Sequence, residues 1–417
     1  MKPTLVGLRV ILCVSITLNC GGEVDDVGTD ASVKDAPDVD SMTDVRDVLL
    51  PDGSATCGAL SQSCCSGACA VGACCNGTCI DLTTDSNNCG SCGHACPTSV
   101  CGSSLCAATQ LAYVSGETDP EAVRTDGANV YWINVNGGGS TLPGVLYACA
   151  KTGCGNKPTK LYGGINYARA LILDSALNTS YVADSGAKTI LRCLTTGCGG
   201  MPNAIGKGPI RGLDHRGAHL FGVVSDEPWQ FMLDGTNDID LGNGVEAAYD
   251  VVAPHNNAQY VYWTTPAADR IRVGIEGLAN SGQDFVISPV PTRLVADASN
   301  LIWHSGTPGG YTIYSCALGA VCNAATVLAE KQVLDWVFGG IVSDGTTAYW
   351  IAYDTSTASV VVRSCAVTGC NKTPLTIAAV QAVSLAQGLH IGGLTLDQKY
   401  LYFAISETGT SVYRIAR

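Results

Sequence analysis

The six histidines of this chain do not fall into a known catalytic or metal-binding pattern. They are His94, His215, His219, His255, His304 and His390. The closest pair, His215 and His219, lies in a predicted strand and turn, where a spacing of four does not bring two side chains to one face as it does on a helix. The sequence also contains no Gly-x-Ser-x-Gly, His-Glu-x-x-His or phosphate-loop motif. It therefore predicts no catalytic residue, no metal site and no cofactor.

Arginine and aromatic side chains point to a different chemistry, the binding of an anion. Arg169, Arg211 and Arg293 each lie a few residues before a turn of a repeated unit, and Trp336 lies before another such turn. If the repeats close into a ring, we expect these side chains where the connecting loops meet its central channel. Guanidinium groups would then face an anion and the indole would stack on it. The alternative is that each arginine pairs with a nearby acid on the surface.

A repeated motif must position these residues, and it consists of an Asp followed five residues later by a pair of bulky residues. Copies with this spacing begin at Asp126, Asp297, Asp344 and Asp397, looser copies begin at Asp174 and Asp214, and a seventh, around Tyr262-Trp263, has His255 in its turn region. Apolar residues alternate before the Asp and an aromatic run follows it, which predicts two strands joined by a tight turn. The Asp suits the turn because its carboxylate can accept hydrogen bonds from the next backbone N–H groups. We therefore predict an all-β, seven-bladed β-propeller, or six blades if the segment around Leu220-Phe221 is not a blade.

Cysteine pairs recur at one place in four of the repeats, the turn between the predicted third and fourth strands. The pairs are Cys149 with Cys154, Cys193 with Cys198, Cys316 with Cys322, and Cys365 with Cys370. Cysteines at hairpin spacing can bring their Cα atoms to the ~4.4–6.8 Å that a disulfide needs. We predict four local disulfides, each stabilising an outer hairpin by about 2 kcal/mol.

The last repeat ends at Arg417 after a predicted third strand, and no residues remain for a fourth. A strand-like segment, residues 111–115, precedes the first repeat and has no place in it. We predict that this segment pairs with residues 411–417 as the outermost strand of the last blade, because an open ring would leave two unpaired sheet edges.

The first 56 residues predict export. Lys2 and Arg9 precede a short apolar run, which predicts a signal peptide over residues 1–20, and Asn19-Cys20-Gly21-Gly22 resembles a bacterial lipobox. Cys13 leaves with the signal, twelve cysteines lie in residues 57–106 and eight lie in the repeats, so Cys20 has no partner and we predict that it carries lipid. The alternative is a cleaved signal and a secreted protein. Residues 21–56 are rich in Asp and lack aromatic residues, which predicts a disordered acidic linker.

Residues 57–107 form a predicted disulfide-rich module, because so few bulky residues cannot hold it together without covalent bridges. The Cys-x-x-Cys at Cys89 and Cys92, near His94, also fits zinc, but an exported chain favours disulfides. The run from Asn88 to Cys96 resembles the Stig1-like cysteine-rich repeat of secreted proteins, which implies an extracellular module. The order of the cysteines does not determine their pairing.

The motif Asp-x-x-x-x-Tyr-Trp, repeated over residues 108–417, resembles the YWTD and NHL-like propellers, although Tyr262-Trp-Thr-Thr265 is the closest match to Tyr-Trp-Thr-Asp. That resemblance implies a fold. The net charge of −13 argues against a nucleic-acid partner, and we expect none. We interpret the chain as a non-catalytic propeller that binds an unknown protein or small molecule on one face. It would be held at the outer membrane, periplasm or cell surface by its N-terminal lipid only. The alternative is a propeller enzyme, a lyase resembling the virginiamycin B lyase type or a hydrolase, with a His, an acid and a divalent ion at the channel mouth.

Overall fold

The computed structural model describes residues 57–96, 100–135, 143–206, 208, 210–244, 246–256, 259–307, 310–330, 335–381 and 388–417; the side chains at 307, 335–339 and 381 are outside this description. Cys20, the predicted signal peptide and the predicted acidic linker lie outside the described residues. Within the described ranges, no helix has the length and apolar character needed to cross a bilayer.

The cysteine-rich segment consists of two short hairpins joined by disulfides. The first hairpin pairs β1 (Ala73–Cys75) with β2 (Thr78–Ile80), and the second pairs β3 (Cys101–Gly102) with β4 (Leu105–Cys106). All twelve cysteines are bridged, as Cys57–Cys65, Cys64–Cys74, Cys69–Cys79, Cys75–Cys92, Cys89–Cys101 and Cys96–Cys106. The Cys75–Cys92 bridge therefore joins the two halves of the segment. Its second half packs against Ala416 at the end of the chain.

Seven four-stranded antiparallel sheets follow, so the predicted seven-bladed propeller is confirmed and the six-bladed alternative is not needed. Blade 1 contains β6 (Pro120–Thr125), β7 (Asn129–Asn134), β8 (Gly144–Ala150) and β9 (Thr159–Ile165). Blade 2 contains β10 (Ala168–Asp174), β11 (Thr179–Asp184), β12 (Thr189–Leu194) and β13 (Asn203–Ile205). Blade 3 contains β14 (Ile210–Arg216), β15 (His219–Val224), β16 (Glu227–Met232) and β17 (Ile239–Asp240). Blade 4 contains β18 (Val251–Val252), β19 (Tyr260–Thr265), β20 (Arg270–Ile275) and β21 (Gln283–Ile287), with a 3₁₀ turn, Pro266–Ala268, between β19 and β20.

The remaining three blades have the same order. Blade 5 contains β22 (Pro291–Ala296), β23 (Asn300–Thr307), β24 (Gly310–Ala317) and β25 (Thr326–Ala329). Blade 6 contains β26 (Asp335–Ser343), β27 (Thr347–Asp354), β28 (Ser359–Ala366) and β29 (Leu375–Gln381). Blade 7 contains β30 (His390–Leu396), β31 (Tyr400–Ser406) and β32 (Gly409–Ala416), and its outer strand is β5 (Thr109–Ser115).

The pairing of β5 with β32 closes the ring, which confirms the predicted closure, although the paired residues are 409–414 rather than 411–417. Their register runs from Gly409 opposite Ser115 to Arg414 opposite Thr109. Leu111 and Ala112 of β5 are buried in an apolar cluster with Trp132 of blade 1. The strand that completes the last blade therefore also packs against the first blade.

Each of the four cysteine pairs in the blades forms a local bridge after the third strand. The bridges, with their Cα–Cα distances, are Cys149–Cys154 at 5.6 Å, Cys193–Cys198 at 5.4 Å, Cys316–Cys322 at 6.1 Å and Cys365–Cys370 at 5.5 Å. The first cysteine of each pair is buried in the third strand of its blade, whereas the second is half-buried in the turn that follows. Each half-buried cysteine packs on an apolar cluster; these cysteines are Cys154, Cys198, Cys322 and Cys370. Each bridge therefore attaches a turn to the core of the ring.

The motif Asp has the predicted role in the turn and a second role that the spacing did not suggest. Asp126 Oδ1 accepts hydrogen bonds from the backbone N–H groups of Ala128 and Asn129, both at 2.7 Å. The hydroxyl of Tyr131 donates to the other oxygen, Oδ2, at 2.6 Å. The corresponding tyrosine bonds to Asp344 and Asp397 measure 3.2 and 2.8 Å. The spacing of five thus joins the turn to the second strand.

Candidate functional site

The seven inner strands surround a central cavity of about 310 Å³, and each of them contributes residues to its wall. Apolar residues such as Leu213, Val251 and Leu294 form part of this wall. Here six charged side chains also line the cavity, namely Glu121, Arg124, Arg169, Asp214, Asp250 and Arg293. The cavity is therefore small and strongly polar, which suits a small polar ligand better than an apolar one.

β-bulges at the beginning of the inner strands bring two of these charges into the cavity. In β6 the register shifts between Pro120 and Ala122, and in β10 between Ala168 and Ala170. The residues at the shifts are Glu121 and Arg169. A residue at a bulge leaves the alternation of the strand, so its side chain can be redirected towards the axis of the ring. Both of these residues lie in the cavity wall.

Arg211 also lies at a bulge, but it is not among the residues that line the cavity. In β14 it stands with Gly212 between the paired positions Ile210 and Leu213. Arg211 Nη1 lies 3.4 Å from Asp226 Oδ1, and both side chains are almost half exposed. Arg211 also lies over the ring of Tyr249, with 5.9 Å between its Cζ and the ring centroid. This is the surface-pairing alternative stated above.

Arg293 crosses the cavity from blade 5 and meets acids of two other blades. Its Nη2 lies 3.3 Å from Oε1 of Glu121 in blade 1. Burial by itself lowers the pKa of Arg293, but Asp250 and Glu121 outweigh burial and raise it. Burial raises the pKa of Asp250, opposed by Arg293 and by hydrogen bonds from the backbone N–H groups of Leu294 at 3.0 Å and Val251 at 3.1 Å. The positive charge of Arg293 is therefore compensated by Glu121 and Asp250, and the side chain connects blades across the channel.

Arg124 and Asp214 form the next part of the wall. Arg124 Nη1 donates to the carbonyl of Val123 at 2.9 Å, and burial lowers the pKa of this guanidinium, opposed by Asp214 and Asp250. The sequence placed Asp214 in a turn, and that prediction is wrong. Asp214 lies inside β14, where its carboxylate accepts hydrogen bonds from the backbone N–H groups of Ala253 and His215, both at 2.8 Å. Burial raises the pKa of Asp214, and these two bonds oppose the rise.

Arg169 differs from the other two arginines of the cavity. Its Cζ lies 4.2 Å from the ring centroid of Tyr167, a residue in the connection between blades 1 and 2 that is 41 % exposed. Among the described residues, the side chain of Arg169 has neither a hydrogen-bond partner nor an ion-pair partner. A guanidinium that lies over an aromatic ring uses its face and leaves its N–H edge available.

The histidines are dispersed in the structure as well, with one exception. His219 Nδ1 lies 2.5 Å from Oε1 of Glu276, and His390 Nε2 lies 3.1 Å from Oδ1 of Asp119. His304 is buried behind the wall and contacts Thr292 Oγ1 at 2.7 Å; burial, and next Arg293, lowers its pKa to about 4. The exception is the pair His215 and His255, whose ring centroids are 5.4 Å apart.

His255, Asp214 and Asp250 all line the cavity, but they are not arranged as metal ligands. In the part of the chain that the structure describes, two groups of three His, Cys, Asp or Glu have donor atoms within 4.8 Å of one another, and both consist of cysteines. All of those cysteines are in disulfides. The residues of the cavity as placed do not fit the divalent ion of the enzyme alternative.

Of the four binding residues inferred from the sequence, two lie in the cavity. These are Arg169 and Arg293. Trp336 belongs to β26 and pairs with Tyr353, but its side chain is outside the described residues. Sequence reasoning missed Glu121, Arg124, Asp214 and Asp250. Arg124 has a signal that was overlooked: it stands two residues before the turn Asp of the first repeat, where an inward position of the inner strand is expected.

No model of a known protein family matches the chain, and no curated protein matches it significantly. Solved structures with a similar fold include two lyases. A catalytically inactive variant of virginiamycin B lyase from Staphylococcus aureus, with quinupristin, aligns with a TM-score of 0.56 and 11 % identity over 74 % of this chain and 99 % of that chain. A streptogramin B lyase aligns with a TM-score of 0.54 and 10 % identity over 74 % and 97 %. At these identities the similarity concerns the fold alone.

Proposed function

We propose that the chain is an exported, membrane-anchored β-propeller that binds a ligand at the mouth of its central cavity and does no chemistry on it. The observation that carries this proposal is the state of the charges in the cavity. Glu121 and Asp250 share the guanidinium of Arg293, whereas Arg169, over the ring of Tyr167, keeps its hydrogen-bonding edge free. A free guanidinium beside an exposed aromatic ring is a binding device. The ligand is a small molecule or a segment of a partner protein.

Anchoring to the envelope by lipid on Cys20 is the second part of the proposal. Ten disulfides within the described residues indicate an oxidising, extracellular environment. All the cysteines in the two folded parts are paired, which leaves Cys20 as the cysteine after the apolar run without a partner. A thioether to lipid would remove an exposed thiol from that environment. The acidic segment that follows would act as a spacer between the membrane and the propeller.

The anchoring is tested on the full chain by intact-mass analysis after extraction from membranes. We expect an acylated N-terminal cysteine in the wild type and its loss in Cys20→Ser, which should move to the soluble fraction. Wild-type protein released without lipid would exclude the anchor and leave the secreted alternative.

The binding is tested by native mass spectrometry of protein purified from its own envelope fraction. We expect a non-covalent adduct that Arg169→Met loses and that Arg211→Met, the corresponding change outside the cavity, retains. The adduct should be recovered chemically unchanged after incubation. An adduct retained equally by both variants would place the site elsewhere, and recovery of an altered molecule would favour an enzyme.

A lyase or hydrolase remains the second candidate, favoured by one arrangement. Asp214, with a pKa raised by burial, is adjacent to the histidine pair His215 and His255 at one side of the cavity. A carboxyl group with a raised pKa in a cavity is a candidate general acid or base. Incubation with quinupristin, the compound in the similar lyase structure, tests this candidate; turnover that His255→Ala abolishes would support it.

A further inference from the structure

The cavity is polarised, although its charges balance as a whole. Arg124, Arg293, Glu121, Asp214 and Asp250 interact with one another and form what we call the inner charge cluster. It contains two guanidinium groups and three carboxylates, a formal charge of −1. Arg169 supplies the compensating positive charge, but it forms no ion pair with the cluster in the described residues and lies over the ring of Tyr167.

We propose that the cavity binds a small zwitterionic molecule, whose anionic group lies on Arg169 beside Tyr167 and whose ammonium group faces Asp250 and Asp214. This inference rests on the proposed binding function and specifies its ligand class. An anion without an ammonium group would meet the negative inner cluster, and a cation without an anionic group would meet Arg169. A molecule with both groups complements both ends, which is how fixed charges in a low-dielectric cavity give specificity.

The environment of the two inner acids agrees with a cationic partner. Burial raises the pKa of both Asp214 and Asp250, so both carboxylates have lost solvation that their present neighbours do not fully replace. Both oxygens of each carboxylate accept one backbone N–H and retain further acceptor capacity. An ammonium group with three donors can use that capacity.

A series of ω-amino acids measures the separation between the two ends. Glycine, 4-aminobutanoate and 6-aminohexanoate are titrated into the full chain by calorimetry at low ionic strength, with hexanoate and hexylammonium as analogues that carry one charge. We expect one chain length to bind at least about tenfold more tightly than either analogue, because each analogue leaves one end of the cavity unpaired.

Two variants assign the ends. Arg169→Met should weaken the best zwitterion at least about tenfold and leave hexylammonium unchanged or tighter. It should nearly keep the wild-type melting temperature, since the side chain of Arg169 has no hydrogen-bond or ion-pair partner among the described residues and only lies over the half-exposed ring of Tyr167. Arg211→Met is the matched control, an arginine at the bulge of the next blade that does not line the cavity, and it should bind like the wild type. Arg169→Lys keeps the positive charge but loses the forked pair of N–H donors. If it binds the zwitterion more tightly than Arg169→Met does, the charge of Arg169 contributes to the affinity.

Equal binding of hexanoate, hexylammonium and the zwitterions, identical behaviour of Arg169→Met and Arg211→Met, or no binding of any member of the series would overturn the inference. These outcomes leave the proposed function to its own test, because an adduct that Arg169→Met loses from the native protein would still identify the mouth as a binding site for another class of ligand.

Discussion

Replacement of Leu111 by Ala tests whether β5 holds the ring closed. Leu111 is only 3 % exposed and packs with Trp132, Cys149 and Tyr402, residues of blades 1 and 7. Its carbonyl also accepts the backbone N–H of Cys154 at 3.2 Å. A buried Leu→Ala change costs about 2–5 kcal/mol, from lost burial and from the cavity that remains. At roughly 2–3 °C per kcal/mol in a domain of this size, the melting temperature should fall by about 4–15 °C.

The matched control is Leu328→Ala, in the outer strand of blade 5, which removes a side chain that is 0 % exposed from a strand joined to its neighbour by the chain itself. Both variants should lose comparable stability in thermal unfolding. Only Leu111→Ala should speed amide hydrogen exchange in β32 and cause self-association that depends on concentration, because β32 then offers an unpaired edge. Equal exchange of β32 in the two variants, or a wild-type melting temperature for Leu111→Ala, would refute this account of closure.

Deletion is the stronger form of the same perturbation. Removal of residues 107–116 deletes β5 and should lower the melting temperature sharply and promote oligomers. Removal of residues 23–56 should do neither. A 107–116 deletion that melts like the full chain would show that the pairing of β5 with β32 does not stabilise the ring.

Three further predictions concern the blades. Changing Cys149 and Cys154 together to Ser should cost about 2 kcal/mol in denaturant unfolding, and non-reducing peptide mapping of the wild type should recover the pair as one bridged fragment. Burial would raise the pKa of Asp397, but Lys151, backbone N–H groups and Tyr402 lower it to about 2. The contribution of Asp397 to the free energy of unfolding is therefore complete above its unfolded pKa and is lost as pH falls towards 2. Asp397→Asn should flatten the dependence of stability on pH between those two pKa values. His304 is held neutral, with a pKa of about 4 against 6.5 unfolded, so stability should fall as pH drops from 6.5 to 4, and His304→Gln should remove that slope in urea titrations at several pH values.

The blades were predictable because their signals are local. One hairpin contains the turn Asp, the N–H groups that donate to it and the tyrosine five residues later, as in Asp126 to Tyr131. The four cysteine pairs are equally local, and the structure joins each of them with Cα–Cα distances of 5.4–6.1 Å. The closing strand was predictable for a different reason, since counting strands left one without a blade and one blade without a strand.

The cavity was less predictable because bulges decide which side chains enter it. A shift of one residue exchanges the two faces of a strand. Arg169 and Arg211 look equivalent in the sequence, but Arg169 stands alone at the bulge of β10 whereas Arg211 shares the bulge of β14 with Gly212, and only Arg169 reaches the cavity. Asp250 was missed because the inner strand of blade 4 has only two residues, Val251–Val252, and the carboxylate precedes it. The positions of the bulges and the lengths of the inner strands depend on how neighbouring blades pack. The sequence of a single repeat does not determine that packing.

The disulfide turns also take part in contacts between blades. The turn of blade 1 places Lys151 Nζ 2.8 Å from Asp397 of blade 7. In blade 5, the carbonyl of Gly319 accepts the hydroxyl of Tyr262, a residue of blade 4, at 2.8 Å. In blade 6, Cys370 Sγ lies 3.3 Å from the carbonyl oxygen of Leu328 in blade 5. These turns thus pack on the preceding blade.

Blade 7 has no such turn, because its fourth strand comes from the start of the propeller. There the guanidinium of Arg417, the last residue, forms the ion pair with Asp344 of blade 6. Arg417 therefore contacts the preceding blade as Lys151 does in the disulfide turn of blade 1. Each of these disulfides thus braces a turn that also touches the preceding blade. This is why a bridge over so short a loop can matter to the ring, although it removes little chain entropy.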